Sequence, residues 1–584
     1  MESKIKYTNE RNVQIVIALL KAHGIHRVIA SPGTTNMTFV VSIENDPWFQ
    51  IWSSVDERSA AYLACGMAAE TGEPVVLSCT GATASRNYMP GLTEAYYRKL
   101  PVLAITSTRG NHKVGHLIDQ QIDRRNIPND IAMESVTIPM VKDKEDERYC
   151  EVEANKAILA LKLNGGGPAH INMYTRYSQD FSIKEIAPVH AIYRHTAFEE
   201  HLPTMPKGRI VVYVGAHADF SERLITAVNK FCATYDAVVL CDHTSGYRGK
   251  YEVHFQLTCG QRQWRSHLAQ VDLCIHIGEV SEGAYTVKAA HTWRVSPDGQ
   301  LRDTFGNLRR VFMMPEEMFF EEYASDETSH TEYRDAMLDQ VESIKAKIPE
   351  LPFSNIWMAQ HMVDRLPIGC ELHLGILHSL RSWNFFKLPA GIQTRCNVGG
   401  FGIDGSVSSM MGASFVHPDK LFIGVFGDLA FFYDMNVVGN RHVGNNVRLL
   451  LINNGKGNEF RNYGHPCYFL GEEADKYIAA AGHYGNKSRC LVKDYATDLG
   501  YEYLSAGSKE EFNAVVDRFL TPEITDRPML LEVFTETEDE SNALEQVLNI
   551  VKDPKFKMKQ GIKTMVKSIL TDSGVELVKR IIEK

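Results

Sequence analysis

Two short polar clusters, GDLAFFYDMN and LLLINNGKG, place an aspartate and an asparagine where apolar runs end. Asp428 follows the run 421–426 and Gly427, and Asn454 follows the run 447–452. Short apolar runs bounded by turn residues read as buried strands. Two parallel strands joined by a helical crossover would bring both side chains to one sheet edge, where open α/β sheets bind ligands. A carboxylate and an amide oxygen suit Mg²⁺, a hard cation that keeps water and is completed by phosphate oxygens. Gly427 and Gly455 let backbone approach an anion closely. Taken alone, the pair reads equally as a strand end followed by an Asn-Gly turn. A second candidate is Glu57 in VDERSAAYLACGMA, after a strand and before an Ala-rich helix. A carboxylate there can project into a cleft, or it can serve only the positive end of the helix.

The elements that must position these groups alternate in type. Asn9 is expected to cap a helix carrying Val13, Val16, Ile17, Leu19 and Leu20, which Gly24 ends. Strand-like runs at 27–30, 74–79 and 102–106, separated by helix-length stretches such as 58–71, give βαβ patterning. RIVVYVGAHAD and DLCIHIGEVSEG each close a β run in glycine, which predicts a Rossmann-like middle domain, although neither is a GxGxxG fingerprint. The proline-bearing stretches KEIAPVHA and KIPELPFS read as linkers. The expected fold class is α/β, with three domains that are each a parallel sheet flanked by helices, at 1–181, 182–349 and 350–540. A basic helical extension is expected at 541–584, with Ile562, Met565, Val566 and Ile569 on its apolar side. The stretch 456–490, rich in Gly, Asn and Tyr, is expected to close over the site.

Composition narrows the function classes. A chain of 584 residues with 44% hydrophobic and 23% charged residues is that of a multi-domain globular protein. A net charge of -10 leaves no excess of cation for phosphate backbones, so no nucleic-acid partner is expected. No apolar run approaches bilayer length and the start has no signal-peptide core, so a cytoplasmic protein without a membrane partner is expected. Eleven cysteines without a CxxC pair, several inside apolar runs, read as buried reduced thiols.

The clusters around Asp428 and Asn454 resemble the cofactor motif of thiamine-diphosphate-dependent enzymes, and the stretch around Glu57 is similar to the pyrimidine-binding domain of the same family. The resemblance implies thiamine diphosphate as cofactor, with Mg²⁺ held by Asp428, Asn454 and the backbone carbonyl of Lys456. It implies cofactor contacts from Gly427, Leu429 and Ala430. It makes Glu57 the activating carboxyl, hydrogen-bonded to the aminopyrimidine and buried beside apolar groups. It also implies a homodimer or dimer of dimers, the pyrimidine domain of one subunit facing the diphosphate domain of another.

A finer resemblance, carried by SPGTTN, DERSAA, CTGATASRNYMPGLTEAYY, LIDQQIDR, FGIDG and GDLAFFYDMN, is to the 2-succinyl-5-enolpyruvyl-6-hydroxy-3-cyclohexene-1-carboxylate synthases of menaquinone biosynthesis. It implies decarboxylation of a 2-oxo acid and carboligation of the resulting carbanion to an acceptor. Arg109 and Gln120 then match pocket residues, Gln120 near the reacting carbons, Arg381 matches an arginine for the distal carboxylate of the oxo acid, and Lys288 a pocket lysine. Two of that branch's arginines are missing, because Thr34-Thr35-Asn36 and Val398 stand in their places. A 2-oxo acid donor with a different, less anionic acceptor is therefore expected. The alternatives are a non-ligating 2-oxo acid decarboxylase, an acetolactate-synthase-like enzyme and a non-catalytic relative. His112 and His116 stand apart in RGNHKVGHL, as solvated loop histidines or proton carriers.

Overall fold

The computed structural model describes residues 6–124, 126–282, 288–325, 329–482 and 488–552. It contains three sheets, of six, seven and six strands, and every strand pairing within them that is described is parallel. The basic extension and its apolar side lie outside the described residues from 553 onward. Two compact units are formed, one of Met1–Leu202 with His291–Met314, the other of Pro203–Ala290 with Pro315–Lys584.

In the first unit the six-stranded sheet runs Gln50–Ser53, Arg27–Ala30, Val75–Thr80, Val102–Thr108, Ala169–Tyr174, Glu134–Ile138. Val102–Thr108 is buried at all seven positions, as a central parallel strand covered on both faces must be. The first helix, Arg11–Ala22, begins two residues after Asn9. Asn9 does not cap it, and the residue at the cap position is Glu10. Asn9 instead accepts from the Ser178 hydroxyl at 2.6 Å and donates to Asp180 at 3.1 Å. The helix expected at 58–71 starts one residue earlier, at Glu57, because Asp56 caps it by accepting from Arg58 N at 3.0 Å. Gly72 closes it at φ +67. Three strands of the seven-stranded sheet, Tyr193–Thr196, Leu308–Met313 and most of Lys288–Val295, also belong to this unit.

The second unit holds Glu252–His254, Val238–Cys241, Ile210–Val214 and Gln270–Ile277, in that order. It also holds the third sheet, Gln393–Arg395, Glu371–Leu374, Phe422–Gly427, Val447–Asn453, Met529–Phe534, Glu502–Ala506. Its core of Leu372, Ile423, Val425, Leu450, Leu531 and Val533 is sealed by Trp357, Leu380, Trp383 and Phe512 from flanking helices. No helix among the described residues is long and apolar enough to cross a membrane.

Candidate active site

The strands Phe422–Gly427 and Val447–Asn453 are adjacent and parallel, with Gly427 opposite Ile452. Their carboxyl ends therefore leave the sheet side by side, and Asp428 meets the Asn-Asn-Gly turn directly. Its carboxylate accepts from Leu429 N at 2.7 Å on one oxygen and from Gly455 N at 2.5 Å on the other. The side chain is buried, with 4% of Asp428 exposed, and among the described residues no lysine or arginine pairs with it. Burial pushes its carboxyl up to about 7, the two backbone N–H groups pulling the other way. A buried carboxylate without a counter-charge is costly, and a cation removes that cost.

The neighbouring oxygens fit one. Asn454 is half-buried, its amide oxygen only 3.4 Å from Lys456 N. Lys456 spends its ammonium on Asp475 at 2.6 Å, which leaves its backbone carbonyl as the oxygen it can offer. A Cβ placed on Gly427 would meet nothing within 4 Å, so there is room at the strand end. Leu429 is half-buried and Ala430 buried on the turn that follows. No group of three or more His, Cys, Asp or Glu among the described residues could hold a metal, so a cation at this place would have to use mixed carboxylate, amide and carbonyl oxygens, a set that suits Mg²⁺.

The first asparagine of the pair does something different. Asn453 donates to Glu532 at 2.7 Å, and the Tyr503 hydroxyl donates to the other Glu532 oxygen at 2.7 Å. Burial raises the Glu532 carboxyl despite both bonds. Sequence patterns did not single out Glu532; its signal was a lone acid inside the apolar strand MLLEVF.

Glu57 opens the helix Glu57–Thr71 in the first unit. It is half-buried and accepts from the Asn87 amide at 3.3 Å. The apolar burial expected around it is not present in the single chain, because Val55, Tyr62 and Leu63 beside it are all about half exposed or more. The opposite helix face, with Ala60, Ala61 and Ala64, packs so closely that a Cβ at Gly91 would sit 2.4 Å from that of Ala61.

The other predicted residues divide. Gln120 is exposed at φ +55, whereas Gln121 turns inward and donates to the Thr108 hydroxyl at 3.2 Å. Arg109 donates to the Tyr177 hydroxyl at 2.6 Å and to Asp119 at 3.3 Å. Arg124, not singled out from sequence, is buried and donates to Thr106 and Asn172, each at 2.6 Å, and burial draws its guanidinium down to about 10. Thr35 and Asn36 are spent on backbone oxygens of Ser107 and Ser31. His112 and His116 are exposed, as is Lys288 at its strand start.

Arg381 lies in the second unit on the helix His378–Trp383, which follows Leu377 at φ 66, ψ -109. One terminal nitrogen donates to both Glu459 oxygens at 2.9 and 2.7 Å, the other to Glu282 at 2.8 Å. His378, one turn earlier, meets buried Glu540 at 2.9 Å. Burial works against its charged form, but Glu540 holds it above the usual histidine range. Val398 is buried in the same apolar core as Leu380.

Residues 11–127 match the family model described as the thiamine pyrophosphate enzyme N-terminal TPP binding domain. A 2-succinyl-5-enolpyruvyl-6-hydroxy-3-cyclohexene-1-carboxylate synthase from Bacteroides thetaiotaomicron is 29% identical over 568 residues, covering 94% of this chain and 100% of its own. A synthase of the same description from Flavobacterium psychrophilum is 25% identical, covering 90% and 96%. Among solved structures, a thiamine diphosphate-dependent 4-hydroxybenzoylformate decarboxylase from Rhodococcus jostii aligns with a TM-score of 0.39 at 16% identity, over 90% of this chain and 99% of that one. The chain is thus similar over residues 11–127 to the N-terminal TPP binding domain of thiamine pyrophosphate enzymes, and over nearly its whole length to 2-succinyl-5-enolpyruvyl-6-hydroxy-3-cyclohexene-1-carboxylate synthases.

Proposed function

We propose that this chain, with thiamine diphosphate and Mg²⁺, decarboxylates a 2-oxo acid and joins the product to an acceptor less anionic than that of the synthases it resembles. The observation that carries this reading is Asp428, a buried carboxylate at the strand ends that accepts from Gly455 N in the Asn-Asn-Gly turn and has no lysine or arginine partner among the described residues. In this reading Asp428, Asn454 and the Lys456 carbonyl hold Mg²⁺, and Gly427, Leu429 and Ala430 line the cofactor's diphosphate. When bound, thiamine diphosphate supplies the electron sink for decarboxylation and carbon–carbon bond formation. Glu57 would hydrogen-bond the aminopyrimidine through its carboxyl and exchange a proton with it, a role that glutamine, unable to exchange the proton, does not fill. The domains at 1–181, 182–349 and 350–540 serve as pyrimidine-binding, central and diphosphate-binding.

A homodimer, alone or paired into a dimer of dimers, is part of the proposal. Apolar groups are exposed around Glu57 in the first unit, and in the second Tyr433 is exposed on the helix Asp428–Asp434. Such surfaces mark contact sites. A two-fold partner covering them would bring Glu57 of one chain to Asp428 of its mate. Eleven free thiols fit a reducing, cytoplasmic setting.

The test is incubation with Mg²⁺, thiamine diphosphate and a panel of 2-oxo acids, with and without carbonyl and enoate acceptors, alongside calorimetric titration of the cofactor. Cofactor binding that requires Mg²⁺, with CO₂ release and an acceptor-dependent product, is expected. Free aldehyde as sole product would make the enzyme a plain decarboxylase. Absence of cofactor binding would sink the proposal.

A further inference from the structure

Arg124 carries a charge that its surroundings leave uncompensated. It lies in the first unit, on the loop between the strands Val102–Thr108 and Glu134–Ile138, and is 8% exposed. Its two terminal nitrogens donate to the Thr106 hydroxyl and to the Asn172 side-chain oxygen, each at 2.6 Å, and both acceptors are neutral. Among the described residues no aspartate or glutamate pairs with it. A buried charge without a counter-charge is costly, because the water that would solvate it has been removed. Burial draws the guanidinium down to about 10, and the Arg86 charge acts in the same direction.

A cavity of about 20 Å³ adjoins this group, and its walls include Arg124, Arg86, Thr106, His170, Leu92 and Ile127. Arg86 is half-buried and donates to the Asp123 carbonyl at 2.8 Å, so it brings a second positive charge to the same walls. His170 is held between the Thr106 and Ser135 hydroxyls at 2.8 Å each. Burial, with Arg124 beside it, pushes its ring down to about 3, which keeps it neutral.

Size then selects the occupant. Roughly 10–15 Å³ of such space holds one water, so the cavity takes a single particle of about that size. Water brings no charge and leaves the guanidinium as it was. Phosphate, sulfate and a carboxylate with its attached chain are too large. A halide has the size and the sign, and it does not need the several directed donors that an oxyanion requires.

We propose that this cavity is a halide site, which takes chloride as the counter-ion of Arg124 with Arg86 as a second positive wall. The bound ion fastens the loop bearing Arg124 to the strands that carry Thr106 and Asn172.

Melting of the full-length protein between about 1 and 100 mM chloride, with gluconate holding the ionic strength constant, tests this linkage. A rise of a few degrees is expected, since an ion that binds only the folded chain stabilises it as its concentration climbs. Bromide is expected to replace chloride, and sulfate is not. In bromide-soaked crystals an anomalous peak is expected within hydrogen-bond reach of the Arg124 guanidinium. Arg124→Met, which keeps length and removes charge, is expected to abolish both the melting shift and the peak. Should that variant fail to fold, Arg86→Gln is expected to raise the chloride dissociation constant at least about fivefold, and an unchanged constant counts against the site. A map without the bromide peak overturns the inference, as do a melting temperature indifferent to chloride, an equal shift in sulfate, or a shift that survives in Arg124→Met.

Discussion

The two carboxyl groups on which the proposed chemistry depends are prepared to different degrees. Asp428 is buried and held on each oxygen by a backbone N–H of its own unit. Glu57 is half-buried, meets one amide at 3.3 Å and stands among exposed apolar side chains. The cation end of the proposed site is therefore built by a single chain, from adjacent parallel strands. The proton-carrying end waits for surroundings that the chain does not supply to it. Rigidity is inherited from the sheet in one case and has to come from assembly in the other.

The contrast can be broken most severely at Asp428. Asp428→Ala should lower Mg²⁺-dependent cofactor affinity by at least about a hundredfold, since changes to groups that merely support a metal ligand already cost roughly ten to a hundred. Calorimetry reads this, and near-normal affinity would place the cation elsewhere. Glu57→Gln should act on the other side of the comparison, reducing kcat by about 10²- to 10⁴-fold while cofactor affinity stays within a few-fold. Equal losses in binding and turnover would mean that Glu57 is structural.

A smaller effect is expected from Leu63→Asp, which charges the exposed face of the Glu57 helix. It should shift the sedimentation profile toward monomer and reduce activity in a concentration-dependent way, leaving the melting of each unit almost unchanged. An unaltered profile would show that this face is not the covered one.

The smallest effect concerns pH and Glu282. Its carboxyl rises from 4.5 to about 7 in the folded chain. The native state then binds more protons than the unfolded one, so folding is favoured below about 4.5 and this advantage is lost as pH climbs through about 7. The unaltered protein, relative to Glu282→Gln, should lose at most about 3 kcal/mol across that window, since each tenfold change in proton affinity between the folded and unfolded chain is worth roughly 1.4 kcal/mol. Parallel denaturation curves at about pH 4.5 and about pH 7.5, the two sides of that window, would remove the basis for a strained acid pair.

Much of the framework was legible because it is written in local patterns. Apolar runs such as 421–426 and 447–452 admit few readings other than buried parallel strands, and their polar ends had to emerge together. What escaped was partnership at distance. No spacing rule says that Arg381 will meet Glu459 and Glu282, far apart in sequence, or that Gln121 rather than Gln120 turns inward. The second is decided by one residue of register in an irregular loop where Gln120 takes φ +55. The misplaced cap had a similar cause, since Asn9 found Ser178 and Asp180 from a later segment more accessible than its own helix. Sequence also could not weigh Glu57, whose environment depends on what covers a surface.

Leu377 has a consequence of its own. A branched residue held at φ 66, ψ -109 is in a sparsely populated conformation that costs on the order of 1–3 kcal/mol, so the turn before Arg381 is kept by packing and not by local preference. Arg381 N donates back to the Leu377 carbonyl at 2.8 Å, which ties the strained residue to the guanidinium-bearing helix. Amide hydrogens along this turn should then exchange with solvent deuterium only when the whole second unit opens, and Leu377→Gly, which removes a side chain packed against that core, should let them exchange by local fraying.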